Sequence, residues 1–465
     1  MEEPKLDNAI TYSRTNKDKF LNELIDLLRI PSVSTDPEQQ PDMLGAAEWV
    51  AENMRGVGLE NVELMPTEGH PCVYGDWLHA GESAPTVLVY GHYDVQPAVK
   101  ADGWNNEPFD PTIVDGKIVA RGASDDKGQM FIHIKAVESI LSAENTLPVN
   151  IKFIIEGEEE IGSPNLPALV KANREKLSAD VCVISDTGMN DIEQPLIING
   201  LRGLVAMELH VTGPKQDLHS GGYGGTVHNP LQALSEIIAQ LHDQNGTVTV
   251  PGFYDDAIIV DEAVREELSH THISDEAWQE RTGVSAVWGE KEYTIRERIG
   301  ARPTLEINGI IGGFYGEGIK TVLPAKAMAK ITCRLVPNQD PDHIYELVRD
   351  YIAQITPPTV TTSLKMLAGK GAAVLIDVNT PAMQSAINAY EKGWGHTPVF
   401  MRGGGTLPII ADLMEELKLP VILMGYGLSS DGAHGPNESY TIDMFYKGIE
   451  TAIHFLYEVK TTLSD

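Results

Sequence analysis

Histidines and carboxylates recur in this 465-residue chain just after short apolar runs. TVLVY (86–90) is followed by GHYDVQP, with His92 and Asp94. IVA (118–120) is followed by RGASDDKG, with Asp125 and Asp126. IKFII (151–155) leads into EGEEEIGS, with Glu158, Glu159 and Glu160. VCVI (181–184) leads into SDTG, with Asp186, and VILM (421–424) into GYGLSSDGAHGPNE, with Asp431 and His434. Any one of these groups alone is an ordinary solvated side chain. Five in phase form a pattern of metal ligands. Histidine with carboxylate suits Zn²⁺, Mn²⁺ or Co²⁺. Acids crowded on one edge repel unless cations lie between them. One histidine and one acid per ion, with a shared carboxylate, describes a two-metal hydrolase site with ions ~3.5–4 Å apart.

Such groups need a frame. Runs of four or five Val- and Ile-rich residues read as strands buried on both faces. Amphipathic stretches lie between them, such as Met130, Ile134, Val137 and Leu141, and a helix is predicted over 16–30, stopped by Pro31. Alternating strands and helices imply a parallel α/β sheet, whose strand C-termini share one ligand-binding edge. The middle differs. Leu204–Val211 alternates like a half-exposed strand, Leu231–Leu241 and Ile344–Ile355 read as helices, and Pro303–Ile310, Ala327–Leu335 and Thr361–Leu367 as strands. That order suggests a two-layer α+β unit. Residues 250–300 are acidic and irregular, and the α/β pattern resumes near Asn379. The expected architecture is an α/β catalytic domain (1–198 and 379–465) interrupted by an inserted α+β domain (199–378).

Composition narrows the function. Asp and Glu number 67 against 35 Lys and Arg, a formal charge of −32. That balance argues against nucleic acid and against an anionic membrane surface. Cys72, Cys182 and Cys333 are sparse, odd in number and without a C-x-x-C pair, which suggests a reducing cytoplasm. The acidic start, MEEPKLDNAI, reads as no signal peptide, and no run approaches the ~20 apolar residues of a membrane span. No G-x-S-x-G elbow favours a serine hydrolase.

Taken with DLHSG (217–221), RLVPNQ (334–339) and MRGGGTLP (401–408), these motifs resemble a co-catalytic zinc metallopeptidase family. It includes carnosinases, aminoacylases, glutamate carboxypeptidase and succinyl-diaminopimelate desuccinylase. The carnosinase-like dipeptidase branch is the most similar, and the motifs keep its order from about Arg29 to Glu438. The resemblance implies a zinc-peptidase-like parallel or mixed-sheet catalytic domain with an inserted lid that dimerises. It implies two Zn²⁺ per subunit, with Mn²⁺ or Co²⁺ as alternatives. His92 and Asp186 would serve one ion, His434 and Glu160 the other, and Asp125 would bridge them. Glu159 matches the general base, and Asp94 the acid that orients His92. Asp126 follows the bridge where the family has a non-proline cis peptide. In the lid, His219 matches a histidine that contacts the tetrahedral intermediate in the partner subunit's site. Arg334 matches the residue holding the substrate carboxylate, with Thr321 assisting. Gly405 and Thr406 belong to a glycine-rich loop that binds the same group. Relatives often carry an acid where this chain has Gly403, and some a histidine where it has Asn308.

Three carboxylates against two divalent ions leave one positive charge, which favours a bound hydroxide near neutral pH. Glu159 would then move a proton to the leaving amine. The expected activity is hydrolysis of a dipeptide amide bond by a metal-bridging hydroxide with Glu159 as base. An N-acyl amino acid deacylase or desuccinylase is the alternative, and a non-catalytic binding relative the remaining one. Glu158 is expected to be the exposed member of its acidic trio and His133 a packing residue. His228 is read as lining the lid or packing near Asn229, and His270 and His272 as solvated.

Overall fold

A computed structural model of the protein describes residues 5–189, 191–367 and 370–463. The first four residues of the acidic N-terminal stretch lie outside them. The described residues divide into two compact units. One comprises those of Met1–Asn199, Ile376–Phe400 and Asp412–Asp465, the other those of Gly200–Leu375 and Met401–Ala411.

The first unit is built on a mixed sheet. Its strands run in the order Glu60–Met65, Cys72–Trp77, Asn150–Glu156, Thr86–His92, Val181–Ile184, Val421–Met424 and Leu196–Leu201. The four from Asn150–Glu156 to Val421–Met424 are parallel. All but one residue of these four is buried, as uninterrupted Val/Ile runs require of strands covered on both faces. The expected strand at Ile118–Ala120 does not join this sheet. Lys117–Val119 pairs antiparallel with Thr112–Val114 and Ser439–Thr441 in a separate three-stranded sheet. Only Ile118 of the three is fully buried, too little apolar surface for a central strand.

The helix predicted over 16–30 spans Lys17–Leu28, burying Phe20, Leu24, Leu27 and Leu28. Helix Lys127–Glu144 is buried on every side from Lys127 to Ile140, not on one stripe. Its charged members are satisfied internally. Lys135 reaches Glu23 and Glu138 at 2.6 Å, and Lys127 Nζ donates to the Ile30 carbonyl at 2.7 Å. His133 is indeed a packing residue, its Nε2 2.7 Å from Ser185 Oγ. Burial pushes this imidazole down to about 3. The unfolded chain therefore takes up a proton below about 6.5 that the folded chain refuses, so stability falls as pH drops through the window from 6.5 to 3. At pH 5 this group costs about 2 kcal/mol. His133→Gln is expected to shrink the fall in thermal midpoint between pH 7 and pH 5. An unchanged fall would show that another group carries the acid sensitivity.

The second unit has two layers. An antiparallel sheet runs Thr304–Gly312, Lys326–Leu335, Gly203–Thr212 and Thr361–Met366. Gly203–Thr212 alternates buried and half-buried at every position, as its sequence predicts. Val205, Met207, Leu209, Ile331 and Cys333 pack against Leu234 and Ile237 of helix Pro230–Ala239 and Ile344 and Val348 of helix Pro341–Ile355. The irregular acidic region holds three short helices, Glu262–Ser269, Asp275–Thr282 and Ile295–Gly300. Ser and Thr caps start the last two, and ion pairs such as Arg265–Glu297 at 2.8 Å do the binding that an apolar stripe does elsewhere.

Candidate metal centre

Strand ends deliver the polar groups of the first unit. His92 ends Thr86–His92, Asp186 lies two residues after Val181–Ile184, and Glu159 and Glu160 start a single turn after Asn150–Glu156. Asp125 lies just ahead of helix Lys127–Glu144, joined to Asp126 by a cis peptide bond. His434 comes from the loop after Val421–Met424, with φ at +63°.

These side chains converge as two groups whose candidate donor atoms lie within 4.8 Å of one another: His92, Glu159 and Asp186, and Asp125, Glu160 and His434. Asp125 faces both histidines. Its Oδ1 is 3.2 Å from His92 Nε2 and its Oδ2 is 3.0 Å from His434 Nε2. Asp186 Oδ2 and Glu159 Oε2 lie 3.8 and 4.0 Å from His92 Nε2, and Glu160 Oε2 3.2 Å from His434 Nε2. His92 is fully buried, and its Nε2 makes no hydrogen bond. Burial and the neighbouring acids push Asp186 well above the carboxylate range. Hydrogen bonds to Asp125 and Glu160 hold His434 up at about 10. Such crowding of imidazole nitrogens and carboxylate oxygens fits divalent cations.

A second layer fixes the first. His92 Nδ1 faces the Asp94 carbonyl at 3.0 Å and its Oδ1 at 3.3 Å. The Asp94 carboxylate also accepts the Glu159 and Glu160 amides at 3.2 and 3.1 Å, so one side chain sets both the histidine and the acidic turn. Asp126 Oδ2 accepts the His92 amide at 3.1 Å. Burial pushes the Glu159 carboxyl up to about 7, with Glu160 and Asp125 adding to that effect and His92 opposing it.

Two residues here were not singled out from the sequence. Gln96 Nε2 donates to Glu160 Oε2 at 2.8 Å. Glu438, fully buried, accepts the Ser124, Asp125 and Gly122 amides at 2.9, 3.1 and 3.0 Å and Arg121 Nη1 at 2.7 Å. Arg121 Nη2 donates to the His434 carbonyl at 3.1 Å, so this pair clasps the Asp125 turn to the His434 loop. The available signal was the acid closing DGAHGPNE, a carboxylate no ligand role consumed. Glu158 corrects an expectation. It is buried, because Asn165 Nδ2 donates to its carboxylate at 2.9 Å and the His70 amide at 3.2 Å.

The remaining expected residues lie in the second unit. His219 lies opposite Val322 in a two-stranded ribbon, and the amide of the next residue, Ser220, donates to the Thr321 carbonyl at 3.0 Å. Arg334 Nη1 donates to Thr406 Oγ1 at 2.7 Å, and a side chain at neighbouring Gly405 would meet open space.

Fold and centre together define a metallopeptidase. Residues 88–458 match the family described as peptidase family M20/M25/M40, and the chain belongs to it. It is 32% identical to the Cys-Gly metallodipeptidase dug1 of Schizosaccharomyces pombe over 98% of each chain. The crystal structure of human carnosine dipeptidase 1 superposes with a TM-score of 0.85 at 29% identity, over 98% of this chain and 100% of that one. An M20 family metallo-carboxypeptidase, Sso-CP2 from Sulfolobus solfataricus, gives 0.85 at 33% identity over 95% and 99%. Among the described residues, no helix is long and apolar enough to cross a membrane.

Proposed function

We propose that this metallodipeptidase hydrolyses the amide bond of dipeptides at a two-zinc centre in the cytoplasm. His92 and Asp186 would hold one ion, His434 and Glu160 the other, and Asp125 both. The observation that carries the reading is Asp125, whose two carboxylate oxygens face two histidines at 3.2 and 3.0 Å. When loaded, such a centre supplies Lewis-acid polarisation of the scissile carbonyl and water acidic enough to ionise near neutral pH. Glu159 accepts the water's proton and passes it to the departing amine, which leaves poorly as an anion. Asp94 keeps His92 oriented and the Glu159 amide anchored while the proton moves.

Arg334 holds the substrate's terminal carboxylate, for which a planar fork is suited. Thr406, Gly405 and Thr321 shape the same subsite, and His219 hydrogen-bonds the tetrahedral intermediate of the partner subunit. The inserted unit acts as lid and dimerisation element. Supporting a homodimer, Thr304–Gly312 is the last strand of its sheet, and Ile310, Ile311, Phe314, Tyr315 and Ile319 on and after it are exposed. Supporting the cytoplasm, all three cysteines are free and buried.

A panel of free dipeptides against N-acetyl and N-succinyl amino acids, with zinc and with manganese, tests the reaction class. Hydrolysis confined to free dipeptides is expected. Turnover of the N-acyl compounds alone would replace this reading with a deacylase.

A further inference from the structure

Arginines enclosed by this chain are generally given an acid. Arg121 reaches Glu438 at 2.7 Å, Arg302 forks onto Glu290 at 2.8 and 2.7 Å, and Arg402 onto Glu267 at 3.0 and 2.7 Å. Acids are in surplus, 67 against 35 bases. Arg202 and Arg334 depart from this together in one small cluster, as Arg298 does singly elsewhere, where it donates to the Glu290 and Trp288 carbonyls. Among the described residues, neither has a carboxylate within ion-pair distance, although both are largely enclosed.

The two are held side by side. Arg334 lies opposite Leu204 in the sheet register, two residues from Arg202. The Thr406 hydroxyl joins them, donating to the Arg202 carbonyl at 2.6 Å and accepting from Arg334 Nη1 at 2.7 Å. Arg202 Nε donates to the Gly404 carbonyl at 3.2 Å. A Cβ at Gly404 would stand 3.1 Å from Arg202 Nη2 and 2.8 Å from Ile299 Cγ2, so this loop residue packs against the guanidinium with nothing to spare. The loop touching both arginines, Gly403–Thr406, carries no acid. Each guanidinium keeps donors unused by the protein. Arg202 is lowered to about 10 by burial first and by the charge of Arg334 second, with Glu306 opposing from beyond ion-pair distance. Two enclosed like charges are tolerable where an anion arrives to satisfy them.

One carboxylate fills one planar fork in a bidentate pair, leaving the second fork for another. We infer that Arg202 is a specificity-determining residue that receives a second carboxylate, on the side chain of the substrate's C-terminal residue, so dipeptides ending in Glu or Asp are the preferred class. The inference rests on the reading above, in which Arg334 takes the terminal carboxylate.

The test compares Ala-Glu with its neutral isostere Ala-Gln on the metal-loaded enzyme. Ala-Glu is expected to have a kcat/KM at least about tenfold higher, because unpaired donors in the site penalise the neutral side chain. Arg202→Gln should bring that ratio close to one, mainly through KM for Ala-Glu. Arg202→Lys, which keeps a point charge without the fork, should retain part of the preference. Calorimetric titration with glutarate against butyrate reads the same contrast without turnover: the dianion should bind at least about tenfold tighter to the wild type, and less so to Arg202→Gln. A wild-type ratio near one, or equal loss on both peptides in Arg202→Gln, would overturn the inference while leaving dipeptide hydrolysis intact. Glutarate preference without hydrolysis of any dipeptide would sink the dipeptidase reading and leave the anion pair standing.

Discussion

Glu159→Gln is expected to lower kcat by about a thousandfold or more while metal content stays at the wild-type level, since general base and acid catalysis is worth 10²–10⁴ and both roles fall on one group. The substitution keeps the side chain's length and removes its negative charge and, with it, its capacity to take a proton. The Glu159 backbone is pinned by Asp94 through its amide at 3.2 Å, a contact that glutamine retains. The neighbouring turn and both histidines keep their partners. Steady-state kinetics alongside elemental analysis of the same preparation reads the two quantities together. Retention of most activity would remove Glu159 from proton transfer and leave the proposed mechanism without a base.

Asp125→Asn should fail differently, losing metal first and activity as a result. A carboxylate offers equivalent oxygens to both sides, and here they lie 3.2 and 3.0 Å from His92 Nε2 and His434 Nε2. An amide keeps one oxygen and turns an NH₂ toward the other histidine, so one ion would lose a ligand and the site would lose one negative charge. Losing a second-layer partner alone typically costs 10–100-fold in metal affinity, so removing this ligand should cost at least about a hundredfold. Competitive titration with a metal-sensitive dye measures it without reference to turnover. Wild-type stoichiometry and affinity in Asp125→Asn would show that the residue does not bridge. Together the two variants separate holding the ions from moving the proton.

Much of the centre was legible because it obeys two simple regularities. Parallel strands end on one edge, and the residues just past TVLVY, IKFII, VCVI and VILM include His92, Glu159, Glu160, Asp186 and His434. The alternation of Gly203–Thr212 and the uninterrupted burial of residues 87–92 likewise followed from apolar spacing. What escaped depended on partners distant in the chain. Ile118 reads as a parallel strand until Ser439–Thr441 is known to lie beside it. Glu158 reads as solvated until Asn165 and the His70 amide close over it. Arg202 carries no motif; its significance is the missing acid, and that is visible only once its neighbours are placed. The helices of 262–300 hide because caps and ion pairs, not a stripe of apolar residues, hold them.

The Arg121–Glu438 clasp has a bearing on the protein's biosynthesis. It joins positions 317 residues apart in sequence and locks the Asp125 turn against the His434 loop. The two sides of the candidate centre are therefore clasped only after the segment around Glu438 has been made. A polypeptide made only as far as Asp186 carries His92, Asp125, Glu159, Glu160 and Asp186 without His434 or this clasp. A nascent or prematurely terminated product that ends just before Glu438 would retain the strands of the mixed sheet yet lack this clasp. Assembly of the candidate centre is thereby deferred until the chain has passed Glu438.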